Sequence, residues 1–276
     1  MRSAPCTLFF RVGSLRFVFA KILICAAIFM KTPAAVAADR HGESERVSIA
    51  AAANLVYALD ALTAAFRQSE PAVTITVATG ASGTLVAQIR DGAPYDVFLS
   101  ADVDYPRALI ASGNAKPASL TVFALGRLVL WTTRADLPLD SFAAAVRSPR
   151  VRKLALANLD TAPYGRAARQ TLEALDLWRE AKRKLVVGEN ITQTAQFVET
   201  GNADAGFVAL SLVLSPRLRD HGHWLLVPES LHTPIAQGAV LTTRGSHNPA
   251  ATRYLAFLHS EAARKILERF GYGLPP

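Results

Sequence analysis

Cysteine is almost absent from the 276-residue sequence, which contains only Cys6 and Cys25. Both lie within the first 38 residues, a segment with the features of a removable export signal. Once that segment is removed, no thiol remains, which excludes a disulfide bond, a cysteine nucleophile and a thiolate metal site. A chain without cysteine also suits an oxidising compartment.

Long apolar runs are lacking as well. The run at residues 22–30 is too short for a membrane-spanning helix, which needs about 20 apolar residues. Basic residues precede this run and small residues follow it at 35–38, an order typical of a secretory signal peptide. We therefore predict that residues 1–38 are a signal peptide cleaved after Ala38. The alternative, an uncut membrane anchor, does not explain the small residues at the cleavage position.

Excess positive charge is also scarce in the mature chain, although the full sequence has a net charge of +8. Five of its 30 Lys and Arg residues precede residue 39, and no Asp or Glu does. The mature chain therefore has 25 basic against 22 acidic residues, a net charge of +3. This balance removes most of the electrostatic case for a nucleic-acid partner, and none is predicted.

The mature sequence alternates between β-rich and helical patterns. Residues 73–78 alternate large apolar residues with small polar ones, whereas 55–68 repeats apolar residues at helical spacing. Strands are predicted at 47–52, 73–78, 97–99, 128–132, 154–157, 185–187, 205–210 and 238–242. Helices are predicted at 55–68, 85–90, 104–112, 165–175, 192–199 and 249–270, the last with a break near Ser260. The alternation favours an α/β fold with mostly parallel sheets.

Four strand-to-helix junctions share one design, a short loop of small or polar residues without Lys or Arg. They lie at 52–55, 79–84, 158–165 and 188–192. Ligands of open α/β sheets bind beyond the carboxyl ends of strands, where helix N-termini present unpaired N–H groups to an anion. The four loops together indicate an anion site without a counter-charge. The alternative is four ordinary capped helices, with Asn54, Ser82 and Thr192 as caps.

Other candidate sites are weaker. Asp96 and Asp102 could form a catalytic carboxylate pair, but a helix cap at Asp102, with Ser100, and a turn or hinge role for Asp96 are favoured. His221 and His223 lack a third ligand in sequence, which favours a solvated turn over a metal site. No nucleophile with a neighbouring base is found beside the loops, so a binding protein is predicted rather than an enzyme.

Longer motifs carry a family resemblance. They stand at 49–55 (IAAAANL), 80–89 (GASGTLVAQI), 92–102 (GAPYDVFLSAD), 154–158 (LALAN), 161–165 (TAPYG), 188–194 (GENITQT) and 201–211 (GNADAGFVALS). With gaps, they extend from Val47 to the C-terminus and resemble the periplasmic molybdate-binding proteins of ABC transporters. The resemblance implies a two-lobe periplasmic-binding-protein fold that captures molybdate or tungstate. It also implies a monomer without a cofactor, which delivers the oxyanion to a membrane permease.

Transferred residue by residue, the resemblance implies a specific set of oxyanion contacts. They are the side chains of Asn54 and Ser82 and the backbone N–H groups of Tyr164 and Ile191. Ala53 offers a further N–H. The sequence departs from the family at two places: many members have Ser in place of Asn54, and many have a Tyr hydroxyl where Ala209 stands. These contacts are to the oxygens of molybdate and are not direct metal ligands.

The implied lobes are discontinuous in sequence. Lobe 1 comprises 39–127 plus 237–276, and lobe 2 comprises 128–236, with hinge strands between them. Within this fold, sulfate, phosphate or a small carboxylate is an alternative ligand, because composition does not determine the size of the cleft. An enzyme that uses the same anion loops is the other alternative.

Overall fold

The computed structural model describes residues 45–137 and 139–275, and ten strands in these ranges form two five-stranded sheets. The predicted signal peptide, residues 1–38, lies outside the described residues. The strands are β1 (Arg46–Ala52), β2 (Thr74–Gly80), β3 (Val97–Ser100), β4 (Thr121–Gly126), β5 (Leu128–Thr132), β6 (Leu154–Ala157), β7 (Leu185–Gly188), β8 (Ala205–Ala209), β9 (His223–Leu226) and β10 (Ile235–Leu241).

The two sheets have the same plan. The first has the order β2-β1-β3-β10-β4, and the second has the order β7-β6-β8-β5-β9. In each, four strands run in one direction and one runs opposite, β10 in the first and β5 in the second. The prediction of an α/β fold with two mostly parallel sheets is confirmed.

The helices cover the faces of these sheets. They are α1 (Val56–Ser69), α2 (Ser82–Arg90), α3 (Asp104–Ala111), α4 (Phe142–Arg147), α5 (Pro163–Ala174), α6 (Trp178–Lys182), α7 (Ile191–Glu199), α8 (Leu210–Val213), α9 (Pro249–Phe257) and α10 (Glu261–Arg269). The predicted break near Ser260 is confirmed, because the Ser260 hydroxyl accepts the N–H of Ala263 and starts α10. The strand predicted to end at Leu210 ends at Ala209, because Leu210 is the first residue of α8.

Strand registers bring the four junction loops together in two pairs. Ala52, the last residue of β1, lies beside Gly80, the last residue of β2. Ala157 at the end of β6 lies beside Gly188 at the end of β7. Because neighbouring parallel strands end at the same edge, the loops that follow them are adjacent in space.

The chain passes between the sheets twice. It leaves the first sheet at Gly126 and enters the second at Leu128, so that one residue separates β4 from β5. It returns between β9 and β10 through residues 227–234. We call the parts of the chain around the first and second sheets the first half and the second half.

Candidate functional site

The ends of five strands surround one narrow cleft between the two halves. Its cavity volume is about 10 Å³, so the two halves lie close together there. Its lining consists of Ala52, Ala53, Asn54, Gly80, Ala81, Ser82, Ala101, Ala162, Pro163, Tyr164, Asn190 and Ile191. The four site residues predicted from the sequence are all in this lining, although they lie up to 137 residues apart in the chain.

Ser82 is the first residue of α2 and is fully buried. Its Oγ accepts the N–H of Ala101 at 3.1 Å, and no acceptor for its own hydrogen is found among residues 45–137 and 139–275. The N-cap of α2 is Ala81, which has no side chain that could cap the helix. The Ser82 hydroxyl can therefore donate to a ligand in the cleft.

Asn54 lies in the 3-10 turn Ala53–Leu55 and is 1% exposed. Its amide nitrogen donates to Oε1 of Gln237 at 2.9 Å and to the hydroxyl of Tyr272 at 2.8 Å. Both amide hydrogens are thus used within the protein. The donors that the first loop can offer to a ligand are backbone N–H groups, because those of Ala53 and Asn54 have no acceptor in the described part of the chain.

Tyr164 is the second residue of α5, after Pro163. Pro163 suits the first helical position, because it has no N–H to satisfy there. The N–H of Tyr164 has no acceptor among the described residues and belongs to the first turn of a helix that no side chain caps. It is therefore available to an anion.

Gly165 explains how α5 comes so close to the strand ends. A Cβ at this position would lie 2.4 Å from the carbonyl oxygens of both Ala157 and Asn158. Only glycine permits this approach of helix to strand. The close packing fixes the place of the preceding N–H at the cleft.

The fourth loop contributes the first N–H of α7. Asn190 is the N-cap, and its Oδ1 accepts the N–H groups of Thr192 and Gln193 at 3.0 and 3.1 Å. The N–H of Ile191 is left without an acceptor within the ranges the structure covers. The helix end is thus capped while one donor still faces the cleft.

The alternative of ordinary helices capped by Asn54, Ser82 and Thr192 is not supported. Thr192 does not cap α7, because Asn190 occupies the capping position and the Thr192 hydroxyl instead donates to the carbonyl of Ala53 at 2.9 Å. Neither Asn54 nor Ser82 makes a capping hydrogen bond. This outcome removes the helix cap as the explanation for Ser82 and leaves its contact with the Ala101 N–H as its structural role.

The cleft contains no cationic side chain and no acidic one. Among its lining residues only Tyr164 can titrate, and burial raises the pKa of its phenol well above the ordinary value of 10.0, with Tyr272 adding to the increase and Asn54 opposing it. An anion would therefore be held by N–H dipoles, helix N-termini and one hydroxyl.

A buried polar cluster beneath the first loop was not predicted from the sequence. The Tyr272 hydroxyl lies 3.0 Å from the carbonyl of Asn54 and 3.2 Å from Oγ of Ser211, which itself donates to the Asn54 carbonyl at 2.9 Å. Asn54 Oδ1 and the Tyr164 hydroxyl are buried there without partners among the residues described. Ala209, at the end of β8, is fully buried and supplies no hydroxyl.

The other sequence candidates have structural roles. Asp102 Oδ1 accepts the N–H of Asp104 at the start of α3, and Ser100 Oγ accepts the N–H of Asp102, as predicted. Asp96 accepts the N–H of Ser48 and pairs with Arg244 at 3.0 Å. His223 is in β9, where Nε2 lies 2.8 Å from the Leu137 carbonyl, so the predicted solvated turn is wrong for it. In the described ranges, no group of three His, Cys, Asp or Glu residues could hold a metal ion.

Comparisons with known proteins agree on one family. A family model described as bacterial extracellular solute-binding protein matches residues 47–273. The molybdate-binding protein ModA of Azotobacter vinelandii is 38% identical over 232 residues, which is 84% of this chain and 91% of the relative. The ModA of Rhodobacter capsulatus is 40% identical over 199 residues, which is 72% of this chain and 77% of the relative.

Solved structures extend the comparison. The periplasmic molybdate-binding protein of Azotobacter vinelandii superposes with a TM-score of 0.79 at 31% identity and covers 83% of this chain and 100% of that chain. The sulfate-binding protein SubI of Mycobacterium tuberculosis superposes with a TM-score of 0.68 at 15% identity, covering 83% and 86%. At that identity the second match shows a common fold alone.

Proposed function

The chain belongs to the bacterial extracellular solute-binding proteins and, among them, to the molybdate-binding proteins, and on this premise we propose that it captures molybdate or tungstate in the cleft for an ABC importer. The observation that supports this most is the cleft itself. Most of its lining residues are buried, it contains no counter-charge, and it collects hydrogen-bond donors from four loops. The oxygens of a fully ionised tetrahedral oxyanion can only accept hydrogen bonds, so a cleft lined by hydrogen-bond donors is complementary to it.

The proposed contacts come from both halves. The first half provides the Ser82 hydroxyl and the N–H groups of Ala53 and Asn54, and the second provides the N–H groups of Tyr164 and Ile191. The side chain of Asn54, predicted from the sequence as a donor, would have to exchange a partner to reach the ligand. We propose that it chiefly positions the first loop.

Calorimetry on residues 39–276 tests this function directly. Molybdate and tungstate should each bind with one ion per chain, and sulfate and phosphate should bind more weakly or not at all. Binding of sulfate in preference to both would replace the proposed ligand while leaving the oxyanion site in place. No heat with any of the four anions would contradict the proposal.

Two alternative functions remain distinguishable. Binding of sulfate or another small oxyanion would use the same donors, and the fold is shared with a sulfate-binding protein. An enzyme would need a base to activate a nucleophile such as the Ser82 hydroxyl, but the cleft lining contains no His, Lys, Asp or Glu, and burial raises the pKa of the Tyr164 phenol. The curated relatives are named as binding proteins, which favours transport.

We further propose that the protein acts in the periplasm and that its partner is the permease of the transporter. The described residues contain no helix that is long and apolar enough to cross a membrane. The proposed lobes are 39–127 with 237–276 and 128–236, so that the passage from β4 to β5 and the first residues of β10 form the hinge. The two sheets and the two crossings between them support these boundaries.

The mature protein is expected to begin within a residue or two of Ala38, because the small residues at 35–38 follow the short apolar run. Intact mass of the exported protein measures this. A periplasmic form that keeps residues 1–37 would show that the segment is an anchor.

The affinity for molybdate is expected to stay nearly constant from about pH 6 to 9, after correction for protonation of the anion itself. No cleft side chain changes charge in this interval, because burial raises the pKa of Tyr164 and so keeps its phenol neutral. Calorimetry across the interval measures it. A loss of affinity with a histidine-like midpoint would reveal a cationic ligand outside the four loops.

A further inference from the structure

A cluster of polar contacts at the rim of the cleft joins the two halves. Arg166 extends from the first turns of α5 in the second half, and it meets Asp102 and Tyr105 of the first half. None of these three residues lines the cleft itself. They therefore lie outside the proposed set of ligand contacts.

The Arg166 guanidinium makes three kinds of contact across the rim. One nitrogen donates to the Tyr105 hydroxyl at 2.7 Å, and the other donates to the Asp102 carboxylate. The guanidinium carbon also lies 5.2 Å from the centre of the Tyr105 ring. A planar guanidinium suits this arrangement, because it can pair with a carboxylate and lie against an aromatic ring at once.

Both partners on the first half make further hydrogen bonds. Asp102 uses its other carboxylate oxygen to accept the N–H of Asp104, at 2.8 Å, and so is fixed to the start of α3. Little rotamer freedom of Asp102 is therefore lost on closing. The Tyr105 hydroxyl adds contacts across the rim, to the carbonyls of Asp160 and Thr161 at 3.2 and 3.4 Å.

Two further hydrogen bonds that end on backbone carbonyls join the two halves at the rim of the cleft. The N–H of Gly83 donates to the carbonyl of Thr161 at 2.9 Å, and the Thr192 hydroxyl donates to the carbonyl of Ala53 at 2.9 Å. Small residues allow the approach, since a Cβ at Gly83 would lie 3.0 Å from the Cα of Thr161. The rim is thus built for close contact between the halves.

We propose that Arg166, Asp102 and Tyr105 form a latch that holds the halves together over a bound oxyanion and sets its rate of release. This inference rests on the proposed function. Arg166 is a positioning residue: it lies two residues after Tyr164 on α5, so the contact that closes the rim also holds the helix that presents the Tyr164 N–H. The latch raises the equilibrium constant for closing the two halves. While the open form predominates without ligand, a ligand that binds only the closed form gains affinity by the factor of that increase.

The experiment compares Arg166→Ala with Arg169→Ala. Arg169 is on the same helix but pairs with Glu173 and lies over Trp178, all within the second half. Both variants remove one positive charge, so they change the long-range attraction for an anion alike. Only Arg166→Ala removes a contact across the rim.

Stopped-flow and calorimetry with molybdate should show release about tenfold faster and affinity about tenfold weaker for Arg166→Ala, the loss expected from one charge-assisted hydrogen bond. The association rate should match that of Arg169→Ala. Tyr105→Phe, which keeps the ring and loses the hydroxyl, should have a smaller effect in the same direction. Melting temperatures without ligand should stay equal, which separates a latch from a general loss of folding.

Equal release rates in Arg166→Ala and Arg169→Ala would overturn the latch while leaving the oxyanion function intact. If the wild type binds no molybdate, the proposed function fails. Small-angle scattering without added anion then tests separately whether Arg166 holds the two halves together. The latch requires a larger radius of gyration for Arg166→Ala than for Arg169→Ala. Identical scattering profiles would overturn it.

Discussion

Replacement of Ser82 by alanine is expected to weaken molybdate binding by about 10- to 150-fold. A hydrogen bond to a charged group contributes about 1.5–3 kcal/mol, which corresponds to that range of affinity. The Ser82 hydroxyl hydrogen has no acceptor among the described residues, and the serine is fully buried at the cleft. Calorimetry measures the affinity, and thermal unfolding measures the stability of the same variant.

A matched control is available in Ser215. It is also fully buried, but its Oγ has no hydrogen-bond partner in the described ranges and it does not line the cleft. Ser215→Ala should leave molybdate affinity unchanged. If Ser82→Ala lowers only the melting temperature, the Ser82 hydroxyl only accepts the N–H of Ala101. The assignment of Ser82 as a ligand contact is then wrong.

Gly165→Ala is expected to reduce both stability and affinity. The new methyl group would lie 2.4 Å from two backbone oxygens, so α5 must move away from the ends of β6. Overpacking of this kind costs about 1–3 kcal/mol, or about 2–12 °C in melting temperature for a chain of this size. Because the displaced helix carries the Tyr164 N–H, molybdate affinity should fall as well. Thermal unfolding and calorimetry measure the two effects.

Gly80→Ala provides the comparison. Gly80 also lies at a strand end beside the cleft, but a Cβ there would be 3.5 Å from the Leu85 side chain, an ordinary contact. Its melting temperature should match that of the wild type. A Gly165→Ala protein as stable as Gly80→Ala would show that the contact between α5 and β6 is not restrictive.

Local pattern was sufficient to identify most of the fold. The eight predicted strands all form, because each has a run of apolar residues or, in β2, an apolar-polar alternation near a turn signal. The edge strands β4 and β9 were missed: β9 has four residues, and Trp224 and Leu226 on it are exposed, so it lacks the buried run that marks an inner strand. The reversed direction of β5 and β10 depends on pairing between distant strands, which local sequence does not encode.

The site was predictable in its position and less so in its details. Loops after strands indicated the cleft, because parallel strands end at one edge of a sheet. The role of the Asn54 side chain was not predictable, since Gln237 and Tyr272 are 183 and 218 residues away in sequence. The cap of α7 was misplaced because both Asn190 and Thr192 are good capping residues, and the structure selects the one whose side chain reaches the next two N–H groups.

The absence of a counter-charge in the cleft has an electrical consequence. A dianion taken up by neutral donors brings its full charge into the protein, so residues 39–276 would change from a net +3 to about +1 on loading. If arginine or lysine lined the cleft, the net charge would change by the same amount on loading, but the positive side chains would cancel the field of the anion locally. Here dipoles and hydrogen bonds stabilise the added charge, but no charged side chain of the lining neutralises it. A membrane partner could thus distinguish the loaded from the empty protein by electrostatic potential as well as by shape.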